Sequence, residues 1–227
     1  MSNGGAADTT AAIELAMFPL GTVLFPGVTL PLHVFEPRYQ ALTRSCLDGD
    51  GHLGITLIER GSEVGGGDVR FAVGTRARIA QAVALDDDRW FLVLVGVDRI
   101  RVDRWLPELP FPRAVVEVLT DEPPGDGAAG LRDEVERLLR QAMALLAELG
   151  GTDTPLGGPL GPTGPPATVS LAAEPDVAAW QAAAVAPFGP ADAQRVLEAE
   201  SADERLRLLV ELLADEVAVL AHRAAGR

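Results

Sequence analysis

The sequence predicts an α+β protein, with a closed or nearly closed β-domain over residues 14–120 and a helical part over 121–227. Three observations carry this. Residues 14–120 break into short β-rich runs separated by turn signals such as Pro26-Gly27 and Asp86-Asp87-Asp88. From Asp121 onward the apolar spacing switches to three and four residues. The charge also divides: 15 acids and 11 arginines up to Thr120 give −4, whereas 18 acids and 8 arginines after it give −10.

Taken in order, residues 1–13 are small and polar and are expected to be disordered. PLGTVLFPG and TLPLHVFE then read as two strands joined at Pro26-Gly27. Pro37 suits the first turn of a helix, because an amide there has no intrahelical partner to lose. PRYQALTRSCLDGD places Tyr39, Leu42 and Leu47 on a short helix that stops at Gly49. HLGITLIER is a compact strand, followed by a loop containing Gly65, Gly66 and Gly67. VRFAVGTRARIA alternates, with Val69, Phe71, Val73, Ala77 and Ile79 on one face and Arg70, Arg76 and Arg78 on the other.

AVALDDDRWFLVLVGVDRIRVDRW reads as a hairpin with an aspartate tip. Its stretch from Trp90 to Val97 should be buried on both faces. Around Gly96 and Asp98 a bulge or corner is expected, after which Ile100 and Val102 point in and Arg99 and Arg101 out. PFPRAVVEVLT closes the set of strands. Beyond the DEPPGDGAAG linker, Leu131, Val135, Leu138, Leu139, Ala142, Leu146 and Leu149 form one helical stripe. Residues 150–168 are Gly/Pro-rich and expected to form a flexible loop. Pro175, Gly189-Pro190 and Ser201 each open a further helix. Ser201 with Glu204 makes a capping box, and Leu206, Leu209, Leu213, Val217 and Leu220 make its buried stripe.

Composition removes several chemistries. All 19 basic residues are arginine. A chain without lysine holds neither a Walker A ATPase site nor a Ser–Lys peptidase nor a Schiff-base lysine. A single cysteine, Cys46, cannot form an internal disulfide, which fits a cytoplasmic protein. The apolar run at 17–35 contains Pro19, Pro26 and Pro31, which would break a membrane-spanning helix. A net charge of −14 disfavours nucleic acid. The three histidines at 33, 52 and 222 share no ligand spacing with Cys46, so no metal site is expected. Ser45-Cys46 with His33 or His52 has no third group to orient a base, so no catalytic residue is assigned. Nothing in the sequence calls for a cofactor.

FPLGTVLFPGVTLPLHVFEPRY, VGTRARI, VDRIRV, PFPRAVVEVL and the later ESADERLRLLVELLADEV occur in an order that resembles the N-terminal domain of Lon proteases, over roughly residues 16–222. The resemblance implies a PUA-like, mainly antiparallel β-barrel followed by a C-terminal helical bundle. It also implies a free-standing, non-catalytic module that binds unfolded or tagged polypeptides or a separate ATP-dependent protease. The family's substrate contacts map onto the turn at Phe35, Glu36, Arg38 and Tyr39. Independently, Trp105, Leu106, Pro107, Leu109, Pro110 and Phe111 put apolar bulk into a loop, with Trp105, Leu106 and Phe111 as the candidate contacts, where exposed bulk marks a partner surface or else folds over a barrel end as core. An apolar groove between barrel and bundle, adjusted by the 150–168 loop, is the expected mechanism. Homodimerisation, an adaptor role unrelated to proteolysis, and RNA binding through Arg70, Arg76 and Arg78 are the alternatives.

Overall fold

The computed structural model describes residues 12–61, 69–150 and 169–226. The glycine loop at 65–67, the N-terminal tip and nearly all of the 150–168 loop lie outside the described residues. Six strands come first: β1 (Ile13–Leu20), β2 (Thr29–Val34), β3 (His52–Arg60), β4 (Val69–Ala84), β5 (Trp90–Trp105) and β6 (Arg113–Leu119). Helix α1 (Pro37–Asp48) sits between β2 and β3, and α2 (Ala128–Glu148), α3 (Pro175–Val185), α4 (Pro190–Glu198) and α5 (Ala202–Ala225) follow the strands.

The strands run β2-β5-β4-β3-β1-β6 in space, and β6 pairs back onto β5, so five of them close a ring. Every strand pair is antiparallel except β1 with β3, where Met17 lies opposite Gly54. β5 is the hub: its first half pairs with β2 through residues 90–95, and its second half with β6 through 99–105. β1 and β2 do not pair with each other. β1 starts earlier than PLGTVLFPG and ends at Leu20, after which the chain crosses over and turns at Gly27 (φ 74°), with the Val28 amide bonded to the Phe25 carbonyl at 3.1 Å.

That turn crosses β5 at Gly96. The Gly27 amide donates to the Gly96 carbonyl and the Gly96 amide to that of Val28, both at 2.9 Å. A Cβ on Gly96 would fall onto the Phe25 carbonyl oxygen, so the crossing requires glycine. Register also shifts here, because Ala77 faces Gly96 while Arg76 faces Asp98, which leaves Val97 as a bulge. The extra residue reverses the pleat. Arg99 then faces Thr75 on the side that Leu92 and Leu94 occupied, and it is buried, contrary to the outward position expected from alternation. Burial of the Trp90 to Val97 stretch is one-sided as well. Leu92, Leu94 and Gly96 are buried, Phe91, Val93 and Val95 are half-buried, and Val97 is exposed, as suits an antiparallel strand with one outward face.

Two apolar clusters fill the β part. Leu15 and Met17 meet Ile100, Ala114 and Val116, whereas Phe18 and Leu20 join Leu53, Ile55, Leu92, Leu94 and the inner face of α1. That face is Tyr39, Leu42, Thr43 and Cys46, at helical spacing. Leu47, expected on it, is one residue out of phase and exposed.

α5 packs against α2, α3 and α4. Its Leu206, Leu209, Leu213, Val217 and Leu220 are buried as the stripe predicts, each fully buried leucine contributing about 1.5–3 kcal/mol. Ser201 Oγ accepts the Glu204 amide at 3.2 Å, while the Glu204 carboxylate takes the amide of Glu200 rather than that of Ser201. Phe25 and Val73 extend into the helical core, and Phe25 stacks on Trp180 with ring centres 5.7 Å apart.

Polar groups hold the same boundary. Arg99 Nη1 donates to the carbonyls of Leu197 (3.0 Å) and Ala199 (2.8 Å) at the end of α4, where cations suit the helix dipole. Gln194 Nε2 donates to the Val73 carbonyl at 3.0 Å. The expected apolar groove between barrel and bundle is therefore filled where β4 and β5 meet α3, α4 and α5. A depression between α4 and α5 is lined by Arg195, Glu198, Glu200, Glu204, Arg207 and Leu208, which is a charged surface rather than an apolar one.

Candidate functional site

The turn from β2 into α1 starts with Phe35, whose side chain is 57% exposed, and continues through Glu36 as the residue before the helix. Arg38 Nε pairs with Glu36 at 3.1 Å, and its guanidinium lies 4.4 Å from the centre of the Tyr39 ring. Tyr39 itself is buried and stacked on Phe18 with ring centres 3.9 Å apart. Gln40 Nε2 donates to the Phe35 carbonyl at 3.1 Å and steadies the turn.

The second stretch begins at Trp105, at the end of β5, where the ring is 36% exposed. The Leu106 amide donates to the Arg113 carbonyl at 2.9 Å, so residues 106–113 form a loop over one end of the barrel. Leu106 is half-buried, Leu109 is 78% exposed, and Phe111 is buried in the cluster that also holds Tyr39.

Glu108 joins the two stretches. Its Oε1 accepts Arg70 Nη2 at 3.0 Å and pairs with Arg38 Nη1 at 3.5 Å, while the Arg70 guanidinium lies 4.4 Å from the centre of the Trp105 ring. The carboxylate side of these pairs is open to solvent, which screens them to about 0–1 kcal/mol each, so their effect is mainly positional. They tie the Phe35 turn to the 105–109 loop through Arg38, Glu108 and Arg70, and Phe35, Trp105 and Leu109 are the exposed apolar residues of this joined rim.

Of the predicted site residues, Phe35, Glu36, Arg38, Trp105 and Leu106 lie on this rim. Tyr39 and Phe111 are core residues beneath it, with too little exposed surface to touch a partner directly, and they support the rim instead. Leu109 was noted only as part of the apolar loop and Arg70 only as part of a basic strip, and Glu108 was not singled out. The only signal for them was an arginine on the outer face of β4 and a single acid within the apolar LPELPFP run.

The alternative chemistries fare differently. Burial, with a smaller contribution from Asp50, pushes the Cys46 thiol up to about 11, which keeps it a neutral thiol. His33 packs edge-on against Phe91 at 5.3 Å between ring centres, and His52 Nδ1 lies 3.3 Å from Asp50. Of the three arginines proposed as a basic strip, Arg70 is engaged by Glu108 and Arg76 by Asp98. Among the described residues no three His, Cys, Asp or Glu side chains are grouped to hold a metal ion, and no helix is long and apolar enough to cross a membrane.

The fold defines a class: a mainly antiparallel barrel packed on a helical bundle, here with an exposed rim of apolar side chains joined by Glu108. The chain belongs to the family of ATP-dependent protease La (LON) substrate-binding domains, whose model matches residues 14–215. It is 29% identical over 204 residues to Lon protease 2 of Myxococcus xanthus, covering 88% of this chain and 23% of that protein. With the Lon protease of Anaeromyxobacter dehalogenans it shares 28% over 204 residues, again 88% of this chain and 23% of the relative. The chain thus spans about a quarter of the length of these curated relatives. It corresponds to their substrate-binding part and not to the catalytic part.

Among solved structures, a Lon N-terminal domain protein from Xanthomonas campestris superposes with a TM-score of 0.62 at 25% identity, covering 88% of this chain and 98% of that one. The N-terminal domain of the Mycobacterium avium complex Lon protease gives a TM-score of 0.63 at 19% identity, with 89% and 99% covered, and supports the fold alone.

Proposed function

We propose that this chain is a non-catalytic polypeptide-binding module that recruits unfolded or tagged protein substrates, or a separate ATP-dependent protease, in the cytoplasm. The observation that carries this reading is the rim around Glu108, where Phe35, Trp105 and Leu109 stand exposed beside two guanidiniums. Apolar anchors suit a flexible chain, because they supply most of the binding energy, and the guanidiniums, held by Glu108 and the rings of Tyr39 and Trp105, keep the anchors in place. A chain without lysine supplies neither the ATP site nor the Ser–Lys dyad of a Lon-type enzyme, which supports assigning it no activity of its own.

The test is fluorescence anisotropy of labelled, carboxymethylated casein with the purified chain. Saturable binding that falls at least tenfold in the Phe35→Ser/Leu109→Ser double variant is the expected result. Absent binding, or binding the double variant leaves unchanged, would overturn the rim. ATP-dependent casein cleavage by this chain would overturn the non-catalytic reading. An adaptor unrelated to proteolysis would reveal itself in co-purification by a partner that is not a protease.

A further inference from the structure

Residues 169–172 belong to no helix or strand, and their main chain is held against α2 as a bound peptide would be. Arg140 Nε donates to the Val169 carbonyl at 2.8 Å. Arg132 donates through Nη2 to the Leu171 carbonyl at 2.7 Å and through Nε to that of Ala172 at 3.0 Å. The Leu171 amide donates to Glu136 at 3.0 Å and the Ala172 amide to Gln181 at 2.7 Å. All five bonds run between a main-chain group of the segment and a side chain of α2 or α3.

The spacing explains the fit. Arg132, Glu136 and Arg140 stand four residues apart on α2, which is about 6 Å along a helix. Two residues of extended chain cover about 6.6 Å. One step of the ladder, from Arg140 at Val169 to Glu136 at Leu171, therefore matches one dipeptide, and Arg132 closes the end of the segment on the Leu171 and Ala172 carbonyls. Glu136 is buried and is paired with both Arg132 and Arg140, so the ladder is rigid. Side chains of the segment alternate as in a bound peptide. Leu171 is buried in the helical core, Val169 is half-buried against it, and Ser170 is exposed. Identity is read only through the Leu171 anchor and its apolar neighbour.

We infer that Arg132, Glu136, Arg140 and Gln181 form a second polypeptide site, one that reads main chain, is occupied in cis by residues 169–172, and accepts extended peptides with an apolar-x-Leu-small pattern. The tethered occupant has a high effective concentration, so an external peptide gains access in proportion to the fraction of chains whose segment is released. The inference rests on this groove alone and not on the rim at Glu108.

A fluorescein-labelled peptide, Val-Ser-Leu-Ala-Ala-Glu, titrated with the full chain and its Leu171→Ser variant tests it. The peptide should bind the variant at least tenfold more tightly than the native chain, and adding Arg132→Ala should remove that gain. The Phe35→Ser/Leu109→Ser changes placed in the Leu171→Ser background should leave it intact, which separates failure of this site from failure of the rim. Equal or absent binding to a folded Leu171→Ser chain overturns the proposal, as does loss of binding in the rim variant. If circular dichroism shows Leu171→Ser unfolded, hydrogen exchange of the native chain decides. Leu171 and Ala172 amides exchanging at least tenfold faster than those of Leu138 and Leu139 support a releasable segment; exchange only with global unfolding overturns it.

Discussion

The guanidinium carbon of Arg205 lies 3.6 Å from the centre of the Trp180 ring, and Arg205 is fully buried. Its Nη2 donates to Asp121 at 2.7 Å, while the other carboxylate oxygen of Asp121 takes Arg99 from the barrel. Burial pulls the Arg205 pKa down, the Asp121 carboxylate opposes that shift, and Arg99 adds to it. Two buried cations, one from β5 and one from α5, thus share the Asp121 carboxylate as their ion-pair partner, beside carbonyls at the end of α4.

Asp121→Ala strands both guanidiniums, and breaking a buried pair from one side costs about 3–5 kcal/mol. Arg205→Met leaves Asp121 paired with Arg99 and keeps apolar bulk under Trp180, so it should cost less. Urea unfolding of the two variants checks the order; a smaller loss for Asp121→Ala would refute the shared-carboxylate account.

The glycines of the barrel should separate by what their Cβ would meet. At Gly96 and Gly74 it would strike main-chain carbonyls, those of Phe25 and Ile55, whereas at Gly54 it would meet the flexible end of Met17. Alanine at 96 or 74 is expected to cost at least about 1–3 kcal/mol by overpacking, and alanine at 54 less because the thioether can move. Thermal melts of the three single variants test this.

Cys46 gives a pH signature. A thiol whose folded pKa is raised from 9.0 to about 11 holds its proton more tightly in the folded chain, so its stabilisation is complete below pH 9 and is lost as pH rises to about 11. Two pKa units correspond to roughly 2–3 kcal/mol. Between pH 8 and 11 the native chain should lose that much more stability than Cys46→Ala, and its thiol should stay unreactive to Ellman's reagent at pH 8. Rapid labelling at pH 8 would contradict a buried neutral thiol.

Glu108→Gln should separate positioning from stability. The carboxylate is exposed, so unfolding free energy should change by less than about 1 kcal/mol. Casein affinity should fall several-fold, because Arg38 and Arg70 no longer hold the two stretches together. Unchanged affinity would remove Glu108 from the rim.

Local chemistry was legible in the sequence wherever one residue type governs one geometry. Pro37, Pro175 and Pro190 open helices, Gly27 turns the chain, and Ser201 caps α5. The leucine stripe of α5 was legible because a helix buried along one face repeats its pattern without interruption. The bulge at Val97 and the inward Ile100 were legible, whereas the burial of Arg99 was not, since the end of α4 covers it through the Leu197 and Ala199 carbonyls, a contact between distant positions that strand alternation does not encode. The rim was half legible. Phe35 and Trp105 stand out as apolar residues at strand ends, but the bond that joins their segments runs through Glu108 to arginines on α1 and β4, a pairing of distant positions that periodicity does not encode.

The position of β1 has a consequence for synthesis. β1 is made first, yet it lies between β3 and β6, pairing Phe18 with Ile55 on one side and Leu15 with Ala114 on the other. As the chain leaves the ribosome, β1 can dock on β3 early, but its other edge stays open until β6 emerges. Loop-closure entropy over that span falls on the last step. The ring cannot close without β6, and a chain stalled before β6 presents an unpaired β1 edge to any strand nearby.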